Sequence, residues 1–180
     1  IINHQVSIVQ VNAGYCYNLT INPGGSLVGA HIYPGDAVIV AGGNFTNNGN
    51  CYASSSMFRI YVGGNLAQNT TLDISELYMD NAGATQTISL GPGSIIECPI
   101  YTVSSSFPII ALTDLHLFSN YTFDLNGRTL EMNTGMDIFL DDASISDGTI
   151  TTSSKGDLDF HSSNNGELWV CTVDVDNANI

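Results

Sequence analysis

Phe123-Asp124-Leu125-Asn126-Gly127-Arg128-Thr129-Leu130-Glu131-Met132 is the stretch that decides the fold. Two apolar pairs, Phe123/Leu125 and Leu130/Met132, each spaced by one polar residue, flank an Asn-Gly corner. Alternation with period two gives a short strand one face for a core and one for solvent, and Asn-Gly tolerates the positive φ of a tight corner. The grammar returns downstream. Asp147-Gly148 and Asn165-Gly166 follow after 21 and 18 residues, and Ile138/Leu140, Leu158/Phe160, Leu168/Val170 and Val173/Val175 repeat the pairs. A return at about twenty residues predicts a coil that stacks on itself.

Upstream of this stretch the same reading predicts strands over 6–11, 19–21, 37–41, 58–62, 72–79, 85–90, 95–96 and 107–112. Turns are expected at Pro23-Gly24-Gly25, Tyr33-Pro34-Gly35-Asp36 and Gly91-Pro92-Gly93, where Pro presets one corner and Gly follows. Residues 47–50 and 53–56 read as a polar loop around Cys51. No apolar stripe at helical spacing is sustained anywhere. The chain is therefore expected to be all-β, a single domain over residues 1–180.

Seventeen acids against three bases, Arg59, Arg128 and Lys155, give a formal charge of -14, which excludes nucleic acid as a partner because phosphate binding needs clustered Lys and Arg. No apolar run approaches the ~20 residues of a membrane helix, so insertion into a membrane is not expected. Cys16, Cys51, Cys98 and Cys171 are even in number and form no CxxC pair, which points to disulfides rather than zinc. Of three possible connectivities, Cys16–Cys51 with Cys98–Cys171 is the expected one. Sequons stand at Asn18, Asn44, Asn69 and Asn120, each followed by Thr two positions on. Sequons and paired cysteines together predict an extracellular or cell-surface location.

The stretch from Asp36 through Ala37-Val38-Ile39-Val40-Ala41-Gly42-Gly43-Asn44-Phe45, with the Tyr33-Pro34-Gly35 corner before it, resembles an early turn of the pectin-lyase-like right-handed β-helices. Leu125-Asn126-Gly127 through Ile138, Leu140 and Ala143 to Ile150 is similar to their later rungs. The resemblance implies a right-handed β-solenoid. A jelly roll or other β-sandwich, which also uses many short strands, is the competing expectation.

The chemistry in the sequence is thin. Asp141-Asp142 resembles the paired aspartates of polygalacturonase-type hydrolases, but the Asn-Thr-Asp, His-Gly and Arg-Ile-Lys segments of those enzymes are missing. Adjacent residues of a strand also point to opposite faces. Asp157/Asp159 and Asp174/Asp176 each put two carboxylates on one strand face and are the candidates for a Ca²⁺ ion, the one cofactor considered. His4, His31, His116 and His161 show no metal-binding spacing. Trp169 and the tyrosines could stack sugars. Without a catalytic grouping, the expectation is a non-enzymatic structural subunit of an extracellular, glycosylated filament or surface layer. It would polymerise with copies of itself through β-strand or solenoid-end contacts, the apolar N-terminal segment 1–11 being either a strand donated to the next subunit or an intramolecular first strand. The alternative is a carbohydrate-binding or carbohydrate-active module.

Overall fold

In the computed structural model, which describes residues 1–8, 13–30, 36–54, 57–118, 120–154, 156–163, 165–176 and 178–179, the short strands coil into a parallel β-solenoid of about seven turns with no helix. The Tyr33-Pro34-Gly35 corner, His31, residues 9–11 of the first expected strand and Lys155 lie outside the described residues.

Each turn lays up to one strand on each of three faces. The first face holds β1 (Gln5–Ile8), β4 (Ser26–Gly29), β7 (Asn50–Ala53), β10 (Thr71–Asp73) and β13 (Ile95–Ile96) as one sheet, then β16 (Leu115–Phe118), β19 (Ile138–Asp141), β21 (Leu158–Ser163) and β23 (Ala178–Asn179) as another. The second face stacks β2 (Gly14–Cys16), β5 (Ala37–Ala41), β8 (Phe58–Val62), β11 (Glu76–Met79), β14 (Ile100–Thr102) and β17 (Thr122–Asp124). The third stacks β3 (Leu19–Ile21), β6 (Phe45–Asn47), β9 (Leu66–Gln68), β12 (Gln86–Leu90), β15 (Ile109–Ala111) and β18 (Thr129–Met132). β20 (Ser144–Thr152) passes the corner between these two faces unbroken, with β22 (Glu167–Asp174) alongside it. The ladders run parallel, which rules out the antiparallel jelly roll.

Parallel stacking in register puts like residues above like. Ile39, Ile60, Leu77, Ile100, Phe123, Ile145 and Leu168 form one inward column of the second face. Leu19, Phe45, Leu66, Ile88, Ala111 and Met132 form another on the third. Phe45, Phe58 and Phe123 are fully buried, and each such side chain contributes roughly 1.5–3 kcal/mol. The expected pairs from Phe123/Leu125 to Leu158/Phe160 all point inward.

Two expectations need correction. Residues 72–79 are not one strand: Leu72 and Ile74 are buried at even positions but Leu77 and Met79 at odd ones, and the change of parity at Ser75 is the corner between β10 and β11. Cys51 lies in strand β7, not in a polar loop, and points into the core between Leu27 and Leu72.

The tight turns form where Pro and Gly announce them. Gly25 N donates to Asn22 O at 2.8 Å around Gly24 with φ 81°, and Ser94 N donates to Gly91 O at 3.0 Å around Gly93 with φ 72°. At Asn126-Gly127 both residues have positive φ, 46° and 79°, and Arg128 N closes the turn on Leu125 O at 2.8 Å.

Candidate functional site

Because parallel strands lie about 4.8 Å apart, outward side chains in one column meet face to face. On the first face His116, Phe139 and His161 form such a column. The His116 and Phe139 rings stack at 4.2 Å and 4°, and Phe139 and His161 at 4.3 Å and 11°. Beside it, two residues earlier along the chain in each turn, runs a column of acids: Asp114 and Asp137, each just before its strand, and Asp159. Asp137 N donates to Asp114 Oδ1 at 3.0 Å, and His161 Nε2 lies 3.1 Å from Asp137 Oδ2. The ligand atoms of Asp137, Asp159 and His161 all lie within 4.8 Å of one another. His116 also borders a groove of about 490 Å³, together with Asp114, Phe118 and the Gly91–Ser94 turn.

A second set lies on the second face. Tyr61 and Tyr78 stack at 4.4 Å and 9°, and Tyr78 and Tyr101 at 5.2 Å and 28°. Glu76 Oε2 accepts from Tyr78 Oη at 2.9 Å and from Arg59 Nε at 2.5 Å, while Arg59 Nη1 also donates to Asp36. Burial first, and then the hydrogen bond to Glu76, pushes the Tyr78 phenol up to about 12. The same outward column ends at Trp169, 59% exposed, whose indole Nε1 donates to Glu167. Thr122, Ser144 and Ser146 complete a hollow of about 310 Å³ around that indole, and the Thr122 and Ser144 hydroxyls are 2.9 Å apart.

The predicted site residues distribute as follows. Asp141 faces the hollow that His116, Phe139 and His161 border, whereas Asp142, with φ 54°, faces Asn120 and Asn165 around the corner. The adjacent pair thus diverges. Of the calcium candidates, Asp159 joins Asp137 and His161; Asp157 precedes it at the strand start, Asp174 ends β22 and Asp176 follows, so the four do not form one cluster among the described residues. The signal for the mixed cluster was available in sequence as Asp-x-Phe at 137–139 and Asp-x-His at 159–161, but only with the register known.

All four cysteines are free thiols, so neither expected disulfide is present. Cys16 and Cys171 lie on strands at opposite ends of the solenoid, and Cys51 and Cys98 are buried in its middle. Burial raises the Cys51 and Cys98 thiols far above their ordinary range. The sequon residues Asn18, Asn44, Asn69 and Asn120 are all exposed at corners. Asn18 Oδ1 accepts from Asn44 N at 2.8 Å and Asn44 Oδ1 from Asn65 N at 2.9 Å. A glycan attaches to Nδ2, so these Oδ1 bonds are compatible with it.

Both described cations are committed to structure. Arg128 is fully buried, giving Nε to Phe107 O at 3.0 Å, Nη1 to Gln86 Oε1 at 2.9 Å and Nη2 to Pro108 O at 3.3 Å. Burial lowers its pKa, although a guanidinium stays charged. No family model matches the chain, and no curated protein or solved structure matches it either.

Proposed function

We propose that this chain is a non-enzymatic structural subunit of an extracellular, glycosylated assembly whose solenoids join end to end by β-pairing. One observation carries the reading: the edge of β22. Eight residues long, β22 pairs with β20 on one side only among the described residues, and its inward Leu168 and Val173, with Val175 just beyond, stay half-exposed. At the other end β1 and β2 likewise pair on one side only among the described residues, with β4 and β5, while Ile2 bridges the outer edge of β3 at Ile21, and Val6 and Cys16 there are half-buried. A parallel solenoid is polar along its axis, so the first turn of one copy can continue the last turn of another in the same strand direction. Such a contact is heterologous and propagates into a filament. The pectin-lyase-like, right-handed form belongs to the same proposal, supported by the residues 36–45 and 125–150 that resemble that family.

The charge of -14 opposes this union, so added salt favours it. Negative-stain microscopy and light scattering of purified protein across salt concentrations test the proposal. End-to-end rods are expected, together with monodisperse particles for Val173→Lys of unchanged circular dichroism. Monodisperse wild-type protein at every salt concentration refutes it.

A second reading, a carbohydrate-binding module, is favoured by the hollow at Trp169, where an exposed indole adjoins hydroxyls and a carboxylate. The stacked rings favour it less, since Tyr78 and Phe139 have both faces covered by neighbours.

A further inference from the structure

We propose that Asp137, Asp159 and His161 form a binding site for a divalent transition-metal ion of the zinc type on the outer first face. The site is independent of the assembly reading. It takes one ligand, Asp137, from the residue just before β19 and two from β21, so that a bound ion would pin two successive turns together.

The donor set and its spacing carry the inference. Zinc binds imidazole nitrogen and carboxylate oxygen at about 2.0–2.2 Å, and two donors of a tetrahedral ion then lie about 3.3 Å apart. His161 Nε2 and Asp137 Oδ2 are already 3.1 Å apart. With every donor atom within 4.8 Å of the others, the third ligand closes by at most about 1.5 Å, within reach of a carboxylate rotation. A zinc ion bound there needs the Nε2 lone pair, so any proton on Nε2 moves to Nδ1 or to solvent as the metal enters.

The supports of the ligands are rigid. The His161 ring lies flat on Phe139, which lies flat on His116, so its plane is set by the column. The backbone at Asp137 is tied to the Asp114 carboxylate at 3.0 Å. Outer partners that fix ligand orientation in this way sustain affinity in metal sites. His161 is 48% and Asp137 35% exposed in their side chains, leaving an entry path and room for water as the remaining ligand. One imidazole with two carboxylates favours zinc, cobalt or nickel over calcium, which takes six to eight oxygens.

The test uses the full chain stripped with EDTA and titrated with Zn²⁺ by calorimetry in excess Mg²⁺ and Ca²⁺, with Co²⁺ as a spectroscopic probe. One Zn²⁺ per chain is expected, with a visible Co²⁺ band and a higher Tm. His161→Gln and Asp159→Asn are each expected to weaken binding at least tenfold and abolish the band. Asp157→Asn, outside the cluster, should leave both unchanged. The proposal is overturned if no Zn²⁺ binds in excess Ca²⁺. It is equally overturned if folded His161→Gln binds as wild type, or if Asp157→Asn weakens binding as much as Asp159→Asn does, since either result marks diffuse attraction to an acidic surface.

Discussion

The corner between the second and third faces is built in two ways, and the change occurs midway along the solenoid. In the early turns it is Gly42-Gly43-Asn44 and Gly63-Gly64-Asn65, where an asparagine column supplies acceptors to the backbone: Asn18 to Asn44 N, Asn44 to Asn65 N and Asn65 to Thr87 N, the last at 2.9 Å. In the late turns residues adopt positive φ instead, Asn126 at 46° with Gly127 at 79°, and Asp147 at 53°, and Gly127 N bonds Asp147 O at 2.6 Å. An early corner borrows a hydrogen bond from the turn before it, so it is correct only when stacked. A late corner adds its own strained dihedral, while Asn126 Nδ2 still donates to Thr102 O of the turn before at 3.1 Å. The exposed stacks change at the same level, from Tyr61–Tyr78–Tyr101 on the second face to His116–Phe139–His161 on the first.

Where the two designs meet, the corner loops lengthen and Arg128 fills the space. It reaches Gln86 Oε1, and Gln86 Nε2 passes the contact on to Val62 O and Gly64 O, both at 2.8 Å. The strut therefore ties a late corner to an early one. Its loss is the largest effect expected. Arg128→Ala leaves Gln86 Oε1 unpaired in a buried space, removes the donor to Phe107 O and opens a cavity, and is expected to lower unfolding free energy by about 3–5 kcal/mol in urea titration. A loss below about 1 kcal/mol would mean that the two regions are not coupled through this residue.

Glycines on either side of the junction are there for different reasons, and alanine separates them. At Gly64 a Cβ would sit 2.5 Å from Asn44 Oδ1 and 2.7 Å from the Gly43 carbonyl carbon, so backbone must move and the asparagine column opens. At Gly127 a Cβ meets nothing within 4 Å, and only φ of 79° resists it. Gly64→Ala should cost about 2–3 kcal/mol and Gly127→Ala about 1–2 kcal/mol, read as Tm shifts in that order. The reverse order would show that the late corner is the less forgiving one.

The late turns were legible from sequence because local signals build them: Asn-Gly and Asp-Gly corners flanked by alternating pairs such as Leu130/Met132 specify each bend without reference to other turns. Early turns were harder. Cys51 reads as loop because Asn47, Asn48, Gly49 and Asn50 surround it, and nothing local reveals that Leu27 and Leu72 bracket it across 24 and 21 residues. The same limit hid the mixed cluster. Asp159 was singled out beside Asp157 on strand alternation, but its partner Asp137 is contributed by the neighbouring turn, and only register relates them. Arg128, one of three bases, carried no sign of its burial, since its reach to Gln86 spans 42 residues.

The smallest expected effect concerns the early stack, since the His–Phe–His column contains no phenol, although in the late turns burial also raises Tyr121. Tyr78 is held neutral to about 12 by burial and by Glu76, and Tyr101 is raised by burial with Glu76 and Asp124 adding to it. An unfolded tyrosine ionises near pH 10. Below that pH both states keep the proton and Tyr78 contributes no pH dependence. Between about 10 and 12 the unfolded chain has lost a proton that the folded chain retains, so stability falls as pH rises through this window. Absorbance at 295 nm should accordingly show part of the eight tyrosines titrating late. Glu76→Gln removes the carboxylate from both Tyr78 and Tyr101 and should bring the late fraction toward pH 10, while leaving the late corners at Asn126 and Asp147 unaffected in Tm at neutral pH beyond the loss of the Arg59 pair. Wild-type protein whose tyrosines all titrate together near pH 10 would show that the early column is solvated, and that its rings do not stack as closely as those of the late turns.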